Sequence, residues 1–379
     1  MVRPFDASPG LDRGFLLRIS PHGGNGRCHE LARGAPRDFL NLGHVIRGVV
    51  AVFGLIGTLA AAEPTQRDEN RLTEAVKSPP LADGQSADVF PKLRVYGEFG
   101  PIFLHRQSNG SATLIREAIT NATVLKATSR DLGWKTGLEA RGGVTLGDYG
   151  AEFRWINVGR VFRGWSDDAH VITPVNWEIP TRPILIGFPV ANVSAGFSST
   201  LTNMEGNVSW QAHRYLALLA GVRYMSVKDD LGMHFDTGLN LADVKAASRN
   251  NLWGGQLGAQ GQVPVLTPDL LVGATVKGAY LHNSAKNNFN LTQQVGDAFF
   301  ASNRDGQNTW AFELGMDVRY NIFSMVTILA GYQGLWIGRV AQVTDQINRF
   351  NLRTGGGAVG ARSVWFHGPR VAIVIRFPG

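Results

Sequence analysis

The chain has 379 residues, enough for one large domain or two ordinary ones. It holds 46 glycines, about 12% against a usual 7% or so, yet 44% of it is hydrophobic, which excludes disorder and points to many twisted strands joined by tight turns. The net charge of +7 shrinks to 30 basic against 26 acidic residues after residue 62, too mild a balance to suggest nucleic acid, and the single cysteine, Cys28, falls before that point.

Residues 46–62 read IRGVVAVFGLIGTLAAA. Basic Arg37 and Arg47, an apolar stretch over about 48–59 and Ala60-Ala61-Ala62 make the three-part plan of a secretory signal, with cleavage after Ala62. The apolar core is about eleven residues, short for a helix that stays in a bilayer, although a single anchor helix is the alternative reading. The signal lies far from Met1, residues 1–40 are Arg- and Gly-rich without pattern, and no Met occurs between Met1 and Met204. Residues 1–45 therefore read as a mis-assigned start, with translation beginning near Val45. Residues 63–91 are polar, with Pro79-Pro80, and read as a periplasmic linker with one or two helical turns near Asn70–Val76.

From Lys92 to the end, the 92–379 domain follows the strand period of two. In Trp310–Tyr320 one face carries Trp310, Phe312, Leu314, Met316, Val318 and Tyr320, and the other Ala311, Glu313, Gly315, Asp317 and Arg319. A helix would mix the two sets. Ten residues at about 3.3 Å, tilted about 40°, span roughly 25 Å, the apolar band of a membrane barrel with an aromatic at each rim. Leu216–Tyr224, Trp253–Gln262, Leu270–Tyr280, Val326–Trp336 and Arg370–Phe377 repeat the theme. Rim aromatics on the lipid side are predicted at Trp155, Tyr224, Trp253, Tyr280, Trp310, Tyr320, Tyr332, Trp336 and Phe377.

Ten strands are predicted, at about 92–106, 134–146, 149–161, 203–213, 215–228, 250–263, 269–283, 307–320, 324–338 and 364–377. Short turns at 147–149, 213–214, 264–269 and 321–324 alternate with long loops at about 107–133, 162–202, 229–249, 284–306 and 339–363. That asymmetry is how outer-membrane barrels are arranged, and a Greek-key sandwich has no reason to show it. The fold class is thus all-β, a transmembrane antiparallel up-and-down barrel of ten strands, or twelve if the 162–202 loop hides two more. With a two-residue loop at Asp148-Tyr149, Val144 would face Phe153, Gly142 Trp155, Thr145 Glu152 and Gly143 Arg154. Ser111–Ala127 has mixed helical spacing and could fold inward as a plug, or lie on the surface as a loop.

Four stretches resemble a known family: VYGEFGPIFL; LTNMEGNVSWQA followed by LALLAGVRYMSVKDDL; SRNNLWGGQLGAQG; and the ending FHGPRVAIVIRF. The more specific parts are Glu205/Asn207, Gly221/Arg223/Tyr224 and Asn251/Trp253/Gly254/Gly255/Gln256/Leu257/Gly258. Together, over about 92–377, they resemble the outer-membrane β-barrel porins of planctomycetes and, more distantly, the pore-forming major outer-membrane protein of Legionella. The resemblance implies an outer-membrane location and carries no catalytic motif. Such barrels usually end in an aromatic; here Phe377 is followed by Pro378 and Gly379.

The inward face should hold Glu139, Arg141, Glu152, Arg154, Glu205, Arg223, Lys277, Glu313, Asp317, Arg319 and Arg376, because an Arg on the lipid side costs ~2–4 kcal/mol at the midplane. Either these charges line a polar pore and set its selectivity, or they pair across a narrow, filled lumen; ten strands leave an interior only modestly wider than side chains can fill, which favours filling. Gly143, Gly221, Gly258 and Gly315 leave room beside them. Gly221→Ala should therefore matter far less to folding than Leu218→Arg. Asp167-Asp168 with His170, and Asp229-Asp230 with His234, are similar in composition to the Asp and His pairs of outer-membrane proteases, but in predicted loops they are no catalytic motif. No nucleotide, zinc or serine-hydrolase pattern occurs, so no enzyme activity, cofactor or metal is expected. The expected partners are outer-membrane lipid, and small ions or solutes if the lumen is open. A surface-interaction barrel without conductance is the other function class.

Overall fold

The computed structural model describes residues 93–108, 111–117, 123–128, 133–174, 189–236, 241–294, 298–351, 354–357 and 359–377. The leader and the linker lie outside the described residues. Fourteen strands occur among them: β1 (Leu93–Ser108), β2 (Ser111–Glu117), β3 (Thr123–Thr128), β4 (Trp134–Leu146), β5 (Tyr149–Pro174), β6 (Pro189–His213), β7 (Leu216–Asp236), β8 (Leu241–Val265), β9 (Thr267–Gln293), β10 (Phe299–Phe323), β11 (Val326–Val340), β12 (Phe350–Asn351), β13 (Gly356–Gly357) and β14 (Arg362–Phe377).

Ten of these, β1, β4 to β11 and β14, pair antiparallel with their neighbours, and β14 pairs back to β1. These ten strands close into a transmembrane barrel, and β2 with β3 attaches to the upper end of β5. A path of paired residues that leaves β1 at Val95 passes through Val144, Ala151, Val208, Ala220, Leu257, Gly278, Phe312, Trp336 and Trp365. It returns to β1 at Gln107, twelve residues higher. Ten strands with that stagger set a tilt of about 40° and a backbone radius of roughly 10 Å.

The sequence pattern places the membrane band. Exposed Phe99, Phe153, Leu218, Val222, Leu257, Met316, Val318 and Ile373 cover the outside with nothing packed on them, as expected of a surface that meets hydrocarbon. At the short-turn end this band is edged by Tyr149, Trp210, Tyr320 and Phe377; at the other end by Trp134, Tyr224, Trp253, Tyr280 and Trp310. Rim rings touch one another: Tyr280 and Trp310 are 4.8 Å apart, and Phe312 and Trp336 5.7 Å. Trp155 and Trp336 are on the same face but half-buried, and the Tyr332 hydroxyl is hydrogen-bonded with His367 Nδ1 at 2.5 Å.

The structure corrects several expectations. The predicted loops 162–202, 229–249 and 284–306 are mostly strand: β5 with β6, β7 with β8 and β9 with β10 run on as paired strands, the longest of them 27 residues. Among the described residues they add no eleventh or twelfth strand to the ring. The strand ends were invisible because the polarity of the two faces inverts there, and an amphipathic reading of one fixed phase stops at the inversion. The β4–β5 turn is Gly147-Asp148, with Gly147 at φ 59°, where glycine is favoured. That moves the register by two, so Val144 pairs Ala151, Gly142 pairs Phe153, Gly143 pairs Glu152 and Arg141 pairs Arg154. A shift of two keeps each side chain on its face, so pattern alone does not separate the two registers. The described residues of 111–127 are strand, not helix: β2 and β3 pair with each other, and β2 also pairs with the upper end of β5.

Candidate functional site

The lumen is the site to which the inward-facing residues lead. At the short-turn end it opens as a cavity of about 640 Å³, bounded by Tyr96, Arg141, Glu152, Gln262, Arg319 and Arg376. Here Arg319 donates to Asp317 at 2.5 Å and Arg376 to the amide oxygen of Asn321 at 3.2 Å.

Above this vestibule lies a layer of ion pairs. Period two aims alternate residues of every strand inward, and across a radius of about 10 Å only long side chains can meet. Arg154 of β5 is the hub. Its Nε donates to Glu139 at 2.7 Å, its Nη1 to Glu205 at 3.2 Å and also to Glu313, and its Nη2 to Gln333 at 2.6 Å. Arg223 donates to Asn203 at 2.8 Å and to Glu313 at 2.7 Å. Lys277 donates to Glu205 at 2.6 Å. Arg370 donates to Glu98 at 3.1 Å and to Glu139 at 2.8 Å. Gln256 links Glu205 to Asn207, which donates to Glu152, as does Tyr96. Arg141 lies 3.8 Å from Glu139. Every one of the ten ring strands supplies at least one member. In so apolar a setting a lone charge is very costly, and each carboxylate here has a cationic or amide partner.

Over this layer the interior turns apolar. Ile102, Leu104, Ile156, Leu201, Met225, Leu252, Leu281, Leu335, Ile337 and Phe366 form one buried cluster across the bore. One ion pair is set into its upper side: Arg106 grips Asp229 with two hydrogen bonds of 2.5 and 2.9 Å, and Ser199 donates to the same carboxylate at 2.9 Å. The Arg106 guanidinium also lies 5.8 Å from the rings of Phe197 and Phe366.

The segment after β11 closes the top. Ala341 to Val343 are fully buried or nearly so. Asn250 donates to the Ala341 carbonyl at 2.7 Å and accepts from its N–H at 2.9 Å; Ser248 donates to the same carbonyl at 2.8 Å. A one-turn helix, Val343–Gln346, then seats Val343 and, just beyond it, Ile347 among Val193, Leu231, Met233, Phe235, Val244, Phe289 and Leu291. A plugging segment therefore lies in the 339–363 loop, where the residue pattern alone showed no sign of one.

All eleven predicted inward residues lie inside the barrel, and Glu139, Arg154, Glu205, Arg223, Lys277 and Glu313 meet in one network. Sequence reasoning missed Glu98, Asn203 and Asn207, which period two would have found on the inward faces; Arg370, Gln256 and Gln333 it placed on the polar faces of their strands without assigning them to the network. It also missed Arg106–Asp229, because Asp229 was assigned to a loop. Asp229 and its neighbour Asp230 face opposite ways, one fully buried and one exposed, so they make no carboxylate pair. His234 lies outside, bonded to Asp243 at 2.9 Å. The backbone of Asp167 and Asp168 lies in the β5–β6 ladder opposite Val193 and Asn192.

The inward glycines are not open space. A Cβ on Gly221 would stand 2.1 Å from the Gly206 carbonyl oxygen and 2.8 Å from the Asn207 Cα, so the mild effect expected of Gly221→Ala is overturned by a close strand approach. At Gly258 a Cβ would come within 2.7 Å of the Val276 oxygen, whereas at Gly315 its nearest neighbour is at 3.8 Å.

No family model and no curated protein matches the chain. Among solved structures it is similar to the outer membrane protease OmpT from Escherichia coli, at 8% identity over 77% of this chain and 99% of that one, with a TM-score of 0.41. It is also similar to the translocator domain of the autotransporter NalP from Neisseria meningitidis, at 12% identity over 85% and 98%, TM-score 0.34. A third likeness is to the Ralstonia pickettii toluene transporter TbuX, at 10% identity over 75% and 89%, TM-score 0.28. None of these likenesses bears on what the chain does.

Proposed function

We propose that this chain is an exported outer-membrane barrel of porin-like build whose lumen is sealed at rest. It is an anchored stem and a plugged pore, not an open diffusion channel or an enzyme. The observation that carries this reading is the ion-pair layer centred on Arg154, to which all ten ring strands contribute. Moving an ion through it means separating buried pairs, each worth ~3–5 kcal/mol once one partner is stranded. The apolar cluster above and the 341–347 segment over it close the same path twice more. The planctomycete-type resemblance and the secretory signal belong to this proposal, and both agree with an outer-membrane address.

Planar-bilayer recording on the refolded chain from residue 63 tests it. A flat baseline is expected from a barrel shown to be inserted by its heat-modifiable migration on gels. Discrete, stable steps from the unaltered protein would sink the sealed-lumen reading.

A gated pore is the second reading, favoured by the vestibule of about 640 Å³ and by a plug whose backbone is tied to the barrel wall by amide and hydroxyl hydrogen bonds. Replacing residues 343–360 by a Gly-Ser linker separates the two. Continued silence supports the stem, and new conductance supports a gate.

A further inference from the structure

Above the aromatic rim the outer face of the barrel turns polar, and one row of it is cationic. Lys228 on β7 pairs directly with Arg249 on β8, Arg249 with Lys286 on β9, and Lys286 with Arg304 on β10. All four point outward and are exposed. Among the described residues none of them has an ion pair or a hydrogen-bonded side chain. A fifth cation, Arg160, is presented by the bulge between Val158 and Val161, opposite Thr200, which pairs with Lys228. The outward acids of these strands do not interrupt the row: Asp230 stands two residues above Lys228, and Asp243 is taken by His234 at 2.9 Å.

Like charges placed directly opposite across a ladder repel, and a folded sheet does not gain by lining up four of them. The row costs stability unless something anionic lies along it. Its height says what. Lys228 is four residues above Tyr224, and each step to the next strand climbs further because the strands lean. With about 3.3 Å per residue and a tilt of about 40°, the backbone of the row rises from roughly 10 Å above the Tyr224 level to roughly 19 Å at Arg304. The polar layer of a phospholipid bilayer extends only about 5–8 Å beyond its hydrocarbon. A band that starts at the headgroups and climbs past them matches a lipid with phosphates on a tall sugar headgroup. Lysine and arginine side chains can bend down to the lower phosphates and reach across to the upper ones.

We propose that Lys228, Arg249, Lys286 and Arg304, continued by Arg160, form a binding site for phosphorylated glycolipid of the outer leaflet. The proposal rests on the outer-membrane reading above. The strands bring the cations together in a sloping band along one side of the barrel, so the occupied lipid packs against the Tyr224, Trp253, Tyr280 and Trp310 side with its acyl chains on the apolar band and its phosphates on the row.

The test uses the full chain, folded in non-ionic detergent, and the variant Lys228→Gln/Arg249→Gln/Lys286→Gln/Arg304→Gln. Binding is measured for short-sugar lipopolysaccharide, for the same lipid after enzymatic removal of its phosphates, and for phosphatidylglycerol. The unaltered protein should bind the phosphorylated glycolipid at least tenfold more tightly than either control, with an affinity that weakens as salt rises. The fourfold variant should lose at least tenfold, and Lys228→Arg/Lys286→Arg should retain binding. Equal binding by protein and variant overturns the site. Phosphatidylglycerol binding as tightly as the glycolipid overturns its assignment to a glycolipid. Two half-variants, Lys228→Gln/Arg249→Gln and Lys286→Gln/Arg304→Gln, each expected to lose part of the affinity, decide the matter if four changes together block folding. Insertion into vesicles, read by heat-modifiable migration, is scored in parallel. A chain that does not insert takes the outer-membrane reading down with the site, whereas one that inserts and binds equally well without the cations loses only the site.

Discussion

The lower and upper halves of the barrel use the same strands with opposite polarity. In the lower half the outside is apolar and the inside carries Arg154, Glu205, Arg223 and Glu313; in the upper half the inside carries Leu231, Met233, Phe235, Val244 and Phe289 and the outside is polar. The strand β7 shows the change within one ladder. Up to Tyr224 the outward residues include Leu218 and Val222 while Arg223 points in; beyond it Met225, Val227, Leu231, Met233 and Phe235 point in while Lys228, Asp230 and His234 point out. What differs between the halves is the solvent. Hydrocarbon outside accepts apolar side chains at no cost and leaves the interior as the only place for charge, whereas water outside restores the ordinary arrangement of a core. The inversion thus marks the upper edge of the membrane more sharply than the aromatic rim does.

The largest effect should follow from removing the hub of the lower half. Arg154→Met takes from Glu139, Glu205 and Glu313 the one guanidinium they share, leaving each with a single close cation, Arg370, Lys277 and Arg223 respectively, and should cost ~3–5 kcal/mol. Urea titration of the folded band on gels should then show a much lower midpoint, and an unchanged midpoint would mean that water reaches the network freely. Next comes a pair of substitutions on one strand across the inversion. Val222→Arg, on the lipid face between the two aromatic rims, should cost ~2–4 kcal/mol, while Asp230→Leu, above the rim, should stay within about 0.5 kcal/mol. Comparable losses for both would break the assignment of the membrane edge.

Gly221→Ala should cost ~1–3 kcal/mol, because the added methyl meets the Gly206 backbone, whereas Gly315→Ala, with its nearest neighbour at 3.8 Å, should be milder. Refolding yields of the two variants side by side would reveal the difference. The smallest effect on the whole barrel is expected from Asn250→Ala, about 1–3 kcal/mol confined to the upper half. It frees the Ala341 backbone, so limited proteolysis should cut within 341–361 while the membrane-embedded part keeps its heat-modifiable migration. Loss of that migration would show that the plug and the ion-pair layer fold as one unit.

Much of this was legible in the residues. The period-two faces of Trp310–Tyr320, the position of all ten strands' membrane parts to within a few residues, and the inward address of Glu139, Arg141, Arg154 and Glu313 needed only alternation and the cost of charge in lipid. The reach of β5 to β10 beyond the membrane was not, because inverted alternation looks like loss of pattern when one phase is held fixed. Nor were the pairings readable: whether Arg154 meets Glu139 or Glu205 depends on which strands stand across the bore.

The sequence by itself determined that strands alternate and which side chains must leave the lipid, since both follow from the solvent on either side of a single strand. Only the tertiary structure decided that the β4–β5 turn falls at Gly147-Asp148, that Gly221 sits against Gly206, that residues 341–347 stopper the top and that four cations stand in one row. Those facts depend on the twelve-residue stagger with which ten strands close, a property of the ring that no strand carries alone.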